Sequence, residues 1–216
     1  MITEFGLSAP GLPKHLRSEF AYQTRSLTSL YQRAFGKGLK IGKAWKFLVE
    51  VVPEVERSGC RDLLGVITTQ IAADAETLLM AADVEKPRIA LEWLMRGLSG
   101  AAQALNIDAK RFHMAAEKVQ VENYVNAYMF KKPVPSRNGK RVAKLFVKHG
   151  IHEAEIIGRI STQDGTLIRE QVLFTTRPDE LIFVPMLGKL EWHGDSEVVL
   201  QSTEGNEVAR ISATPN

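Results

Sequence analysis

Two stretches of this sequence hold side chains whose type and spacing suit a polyanion. The first, FGKGLKIGKAWK from Phe35 to Lys46, sets a lysine at every third position: Lys37, Lys40, Lys43 and Lys46. A phosphate-binding loop needs glycine five residues before its Gly-Lys pair and a hydroxyl after it, but Lys37 and Ala44 occupy those places. A dinucleotide fingerprint beginning at Gly36 needs glycine at 41, where Ile41 stands. Neither nucleotide motif is present. In a helix, three-residue steps fall about 60° short of a turn, so four such lysines spread over half the circumference. The glycines instead predict a loop to about Leu39, then a helix with Lys43, Lys46 and Glu50 outward and Trp45 and Leu48 inward. Lysines near a helix N-terminus oppose its dipole, which a ligand would compensate; the plainer reading is a lysine-rich solvated loop.

The second stretch lies between residues 131 and 150, where Lys131, Lys132, Arg137, Lys140, Arg141, Lys144 and Lys148 occur with no acid among them. Neutralising a phosphate releases condensed counterions, so a cluster of this kind is the electrostatic footprint of nucleic-acid binding. If RVAKLFVKH is a strand, Val142, Lys144, Phe146 and Lys148 share one face, and Ala143, Leu145 and Val147 share the other. A ring between two lysines on a sheet can stack a base while the ammonium groups hold the backbone. Tyr128, one helical turn after Tyr124, would extend that surface. The plainer reading makes Phe146 a core residue and the tyrosines packing between domains.

Catalytic chemistry finds little support. His149 and His152 in HGIHE are three residues apart, whereas the zinc-protease pattern needs a four-residue spacing on a helix with Glu between. His193 lies beside Trp192 in WHGDS, close in sequence to Asp195 and Ser196, but local proximity does not make a triad. Cys60 adjoins Arg61, which would lower its pKa, yet no histidine is near in sequence and a buried structural thiol is the simpler reading. No catalytic residue, metal or cofactor is predicted. An enzyme would need residues such as His113, His149, His152 or His193 to converge in the fold.

The elements that must position these residues follow from pattern and composition. The chain has 216 residues, 44% hydrophobic and 25% charged, which is enough apolar material for a core. Net charge is only +3 but is segregated: residues 1–49 carry eight Lys or Arg against two Asp or Glu, and 151–216 carry five against eleven. The single cysteine excludes an intramolecular disulfide and favours a reducing compartment. With no signal-like start and no long apolar run, a cytoplasmic protein with no membrane partner is expected.

Apolar residues recur at helical spacing from about Lys14 to Phe130, as in Leu16, Phe20, Leu27, Leu30 and Tyr31. A second stripe is Trp45, Leu48, Val49 and Val52, and a third helix is expected from Cys60 to Ala82. A fourth begins near Pro87, and a fifth follows Asp108 as its cap and carries Phe112, Ala116, Val119 and Ala127. After KKPVPSRNGKR come seven segments of period two separated by turn signals, among them RVAKLFVKH, LIFVPML and SEVVLQ. The expected fold is therefore α+β: an N-terminal bundle of about five helices in residues 1–130, a basic Pro/Gly hinge in 131–141, and a small antiparallel β barrel or sandwich in 142–216. The expected function is non-enzymatic binding of DNA or RNA, or membership of a nucleoprotein assembly, through both basic segments. The alternatives are a protein-binding module such as an inhibitor or immunity protein, docking a protein partner on its charged surface, and an enzyme with a site formed only in the fold.

Overall fold

In the computed structural model, which describes residues 1–213, the chain divides into two units, Met1–Asn126 and Ala127–Asn216. The first is a mixed α/β unit. Strands β1 (Glu4–Ser8), β2 (Lys46–Val52) and β4 (Val66–Ala72) run parallel, and β3 (Cys60–Leu63) lies antiparallel beside β4 in the order β1-β2-β4-β3. Parallel neighbours cannot be joined by a tight turn, and α1 (Lys14–Phe35) lies in the long crossover from β1 to β2. Three helices follow the sheet: α2 (Ala75–Met80), α3 (Lys86–Ala104) and α4 (Lys110–Val121).

An N-terminal helical bundle is therefore not what forms. The stripe Trp45, Leu48, Val49 and Val52 belongs to β2 and its approach, where Phe47, Val49 and Val51 are buried and Leu48 and Glu50 face the other way. The expected helix from Cys60 to Ala82 is the β3–β4 hairpin followed by the short α2. Buried parallel strands read as nearly continuous apolar runs, so over a few residues they fit a helical stripe as well as a strand. Two helix starts do lie at or next to where their punctuation places them. Pro87 occupies the first turn of α3, and the Asp108 carboxylate accepts the Lys110 amide at 2.8 Å just ahead of α4, whose N-cap position is Ala109, one residue later than expected. Ala127, expected on the fifth helix, is instead the first residue of a strand.

The core of this unit is aromatic. Phe5 meets Tyr31 and Phe35 with ring centroids 5.0 and 4.9 Å apart, and Phe112 closes on Phe35 and Phe47 at 5.7 Å each. The Tyr31 hydroxyl is buried and donates to the Phe112 carbonyl at 3.0 Å, which gives its polar tip a partner. Helix α3 approaches β2 so closely that a Cβ at Gly97 would stand 2.3 Å from a Val49 methyl.

The second unit consists of two antiparallel sheets, neither closed into a barrel. One contains β5 (Ala127–Met129), β6 (Val134–Pro135), β7 (Arg141–His149), β8 (Ala154–Thr162) and β9 (Leu167–Thr176). The other contains β10 (Lys189–His193), β11 (Glu197–Gln201) and β12 (Glu207–Ser212). Leu145, Val147, Ile156 and Ile160 of the first sheet share a core with Leu190, Val198, Leu200 and Ile211 of the second. The segment LIFVPML, expected as a strand, is helical: α5 (Glu180–Phe183) is capped by the Asp179 carboxylate, which accepts the Leu181 amide, and a 3₁₀ turn spans Val184–Met186. Pro185 in that turn has no amide to offer a ladder. No helix among the described residues is long and apolar enough to cross a membrane.

Candidate nucleic-acid interface

Strand β7 alternates sharply. Ala143, Leu145, Val147 and His149 are buried, while Val142, Lys144, Phe146 and Lys148 face outward. The register with β8 sets Lys144 beside Arg159, Phe146 beside Ile157 and Lys148 beside Glu155. Across the next ladder Arg159 meets Glu170 and Ile157 meets Val172.

On this face the Arg159 guanidinium lies over the Phe146 ring, 4.2 Å from its centroid, while its Nε donates to Glu170. Lys144, Phe146, Arg159, Ser161, Leu167 and Glu170 line a concavity of about 340 Å³. Ser161 is 5% exposed, and its hydroxyl has no hydrogen-bond partner among the described residues. A cation, an aromatic face and an unused hydroxyl therefore meet in one groove.

The other basic residues of this segment divide by their partners. Lys148 is tied to Glu155 at 2.6 Å, and that hydrogen bond holds its ammonium above the ordinary lysine range. Arg141 donates to the Asp195 carbonyl at 2.8 Å, and Lys131 donates to the Gly188 carbonyl. Lys132, Arg137, Lys140 and Lys144 form no ion pair among the described residues. They keep their charge available along the hairpin that leads into β7.

Tyr128 does not extend the Phe146 surface. It sits in β5 opposite Val147, on the core side, and it is Met129 that faces Phe146 across the ladder. Tyr124 lies beyond the end of α4 with a positive φ of 60°, so the helical turn expected to align the two tyrosines is absent. Sequence reasoning missed Arg159 and Ser161. Both lie on the outward side of β8, but only the strand register shows which β7 residues they meet.

In the first unit, Lys37, Lys40 and Lys43 are exposed on the loop between α1 and β2 and form no ion pair among the described residues. Lys46 is the first residue of β2 rather than a helical residue, and Glu4 binds its ammonium at 2.7 Å. Trp45, expected inward, is 44% exposed.

Two of the groups weighed for catalysis, His149 and Cys60, have structural surroundings. His149 is buried, with Nε2 3.0 Å from the Pro178 carbonyl and Nδ1 3.7 Å from Glu180. Burial pushes the Cys60 thiol up, more than a hydrogen bond with Thr69 lowers it, so it is not an activated thiolate. Beside it, Gln70 accepts the amides of Glu56 and Arg57 at 3.1 Å and donates to Glu50, which also binds Arg57 at 2.7 Å. Those contacts clamp the β2–β3 loop. No cluster of three His, Cys, Asp or Glu able to hold a metal occurs among the described residues.

Fold and surface together describe a protein with an α/β unit followed by a two-sheet antiparallel unit. No family model, curated protein or solved structure matches the chain.

Proposed function

We propose that the protein binds nucleic acid without catalysing a reaction, alone or within a nucleoprotein assembly in the cytoplasm, on the outward face of β7 and β8. One observation carries this reading: Lys144 adjoins Arg159, whose guanidinium plane covers Phe146. The phosphate backbone would run along Lys132, Arg137, Lys140 and Lys144, which form no ion pair among the described residues. A base would stack on the exposed side of the Arg159 plane or displace it from Phe146. Backbone contacts give affinity and register without sequence readout, so DNA and RNA are equally served by them. The reading rests on the second unit because there Lys144, Arg159 and Phe146 share one strand-paired sheet face.

The test is fluorescence anisotropy of nuclease-treated protein with labelled single- and double-stranded DNA and RNA over a series of salt concentrations. Micromolar or tighter binding that weakens steeply with salt is expected. Reversing Lys140 and Lys144 to Glu should cost tenfold or more, as an order of magnitude, and flatten the salt slope. Absence of binding at low salt overturns the proposal.

A protein partner is the second reading, favoured by a different feature of the same face. Met129, Phe146, Ile157 and Val172 form an apolar row across four strands, with Met129 45% and Val172 47% exposed. Such a row suits a protein interface core. A purified complex retained at high salt, and dissociated by Val172→Asp, would favour it.

A further inference from the structure

The turn between β3 and β4 presents leucine where a chain ordinarily places glycine or asparagine. Leu64 has a φ of 53° and is 90% exposed, and Gly65 follows at a φ of 83°. A left-handed leucine costs conformational energy, and exposing it to water gains nothing in the folded chain. Leu63 beside it is 55% exposed. Trp45 braces this turn: its indole donates to the Leu64 carbonyl at 3.2 Å, and its amide donates to the Gly65 carbonyl at 2.8 Å. A Cβ on Gly65 would stand 2.7 Å from the indole, so the two are in tight contact.

Two exposed leucines thus stand at one end of the sheet with the half-exposed Trp45 packed beneath them. Directly before Trp45 runs the loop with exposed Lys37, Lys40 and Lys43, and the Lys43 carbonyl is 3.1 Å from the same Gly65 Cβ position. Arg61 is exposed on β3, and the one acid in the turn, Asp62, spends an oxygen on the Gly65 amide. Exposed Lys43 and Arg61 therefore accompany the single acid Asp62 at an apolar tip, and Lys37 and Lys40 precede them in the same loop.

We propose that this tip docks on an anionic lipid surface. Charge selects the class of occupant: a second copy would bring the same lysines face to face, whereas an anionic headgroup layer is attracted by them. Shape selects further. Exposed leucines at the end of a hairpin turn with tryptophan at its base match an interface in which a soft apolar layer lies behind the charged one. The sequence reading expected no membrane partner because it found no apolar span. Surface docking needs no span, and the exposure of Trp45, Leu63 and Leu64 is not visible in periodicity.

The experiment is cosedimentation of the full chain with vesicles of phosphatidylcholine alone and of phosphatidylcholine and phosphatidylglycerol in equal parts, at low and high salt. Tryptophan emission is followed in parallel, with Trp45→Phe as the reference. Binding only to the anionic vesicles, weakened by salt, with a blue shift absent in Trp45→Phe, is the expected result. Leu64→Asn, which suits a left-handed position and keeps the turn, should lower partition fivefold or more. No partition at low salt overturns the proposal. So does equal partition of Leu64→Asn, which would leave charge acting alone, and so does a loss of nucleic-acid affinity in Leu64→Asn with vesicle binding unchanged, which would assign the tip to a nucleic acid.

Discussion

The guanidinium of Arg159 lies 4.2 Å from the ring centroid of Phe146, on neighbouring strands of one sheet. The arrangement keeps an aromatic face on an open surface without leaving it bare, since the cation shields the ring and remains held by Glu170. A stacking base and its phosphate would find both a π surface and positive charge there.

If Phe146 is a stacking platform, Phe146→Leu separates binding from packing. Aromatic stacking is worth about 1–3 kcal/mol per base, so affinity for single strands should fall by roughly tenfold while the urea midpoint of the second unit hardly moves. Anisotropy and urea unfolding on the same preparation check it. A lower midpoint with unchanged affinity would make Phe146 a packing residue only.

The contact between α3 and β2 depends on Gly97. Its missing side chain admits Val49, so Gly97→Ala should destabilise the first unit by about 1–3 kcal/mol through overpacking. Val49→Ala should restore part of that loss in the double variant. Thermal unfolding followed by the emission of buried Trp93 gives the comparison.

Leu64 offers a stabilisation. Because its left-handed backbone costs roughly 1–2 kcal/mol for an L-residue, Leu64→Gly or Leu64→Asn should raise the melting temperature of the first unit. A fall would mean that Leu64 packs in a way its exposure contradicts.

Tyr31 links stability to alkaline pH. Burial raises its hydroxyl pKa well above the ordinary value near 10, because the phenolate would lose its hydration in the core. A raised folded pKa means that the stabilising difference is fully present below the unfolded pKa and is lost as pH rises above about 10. Unfolding free energy should therefore drop above that pH, and Tyr31→Phe should remove this part of the slope. The phenylalanine variant should also lose about 1 kcal/mol at neutral pH, since the Phe112 carbonyl loses its donor.

Local signals served where the physics is local. Pro87 and Asp108 mark helix starts because a missing amide or a short acceptor acts within one turn. The period of RVAKLFVKH assigns Lys144 and Phe146 to the outward face because side chains alternate on any strand. Where apolar residues crowd together, as in KFLVEVV, the same residues fitted a helical stripe, and only pairing with β1 and β4 distinguishes the two.

The sequence by itself determined the composition of the basic segments and the alternation of β7, since both depend on residue order alone. Tertiary structure decided which charges remain available. Glu4 reaches Lys46 and Glu155 reaches Lys148 from other strands, while Lys144 forms no ion pair among the described residues. It also placed Arg159 on Phe146, turned Tyr128 to the core side and left Trp45 and Leu64 outside. Ion pairs, stacking and exposure depend on distances between residues far apart in the chain, and those distances follow from strand register and packing in space.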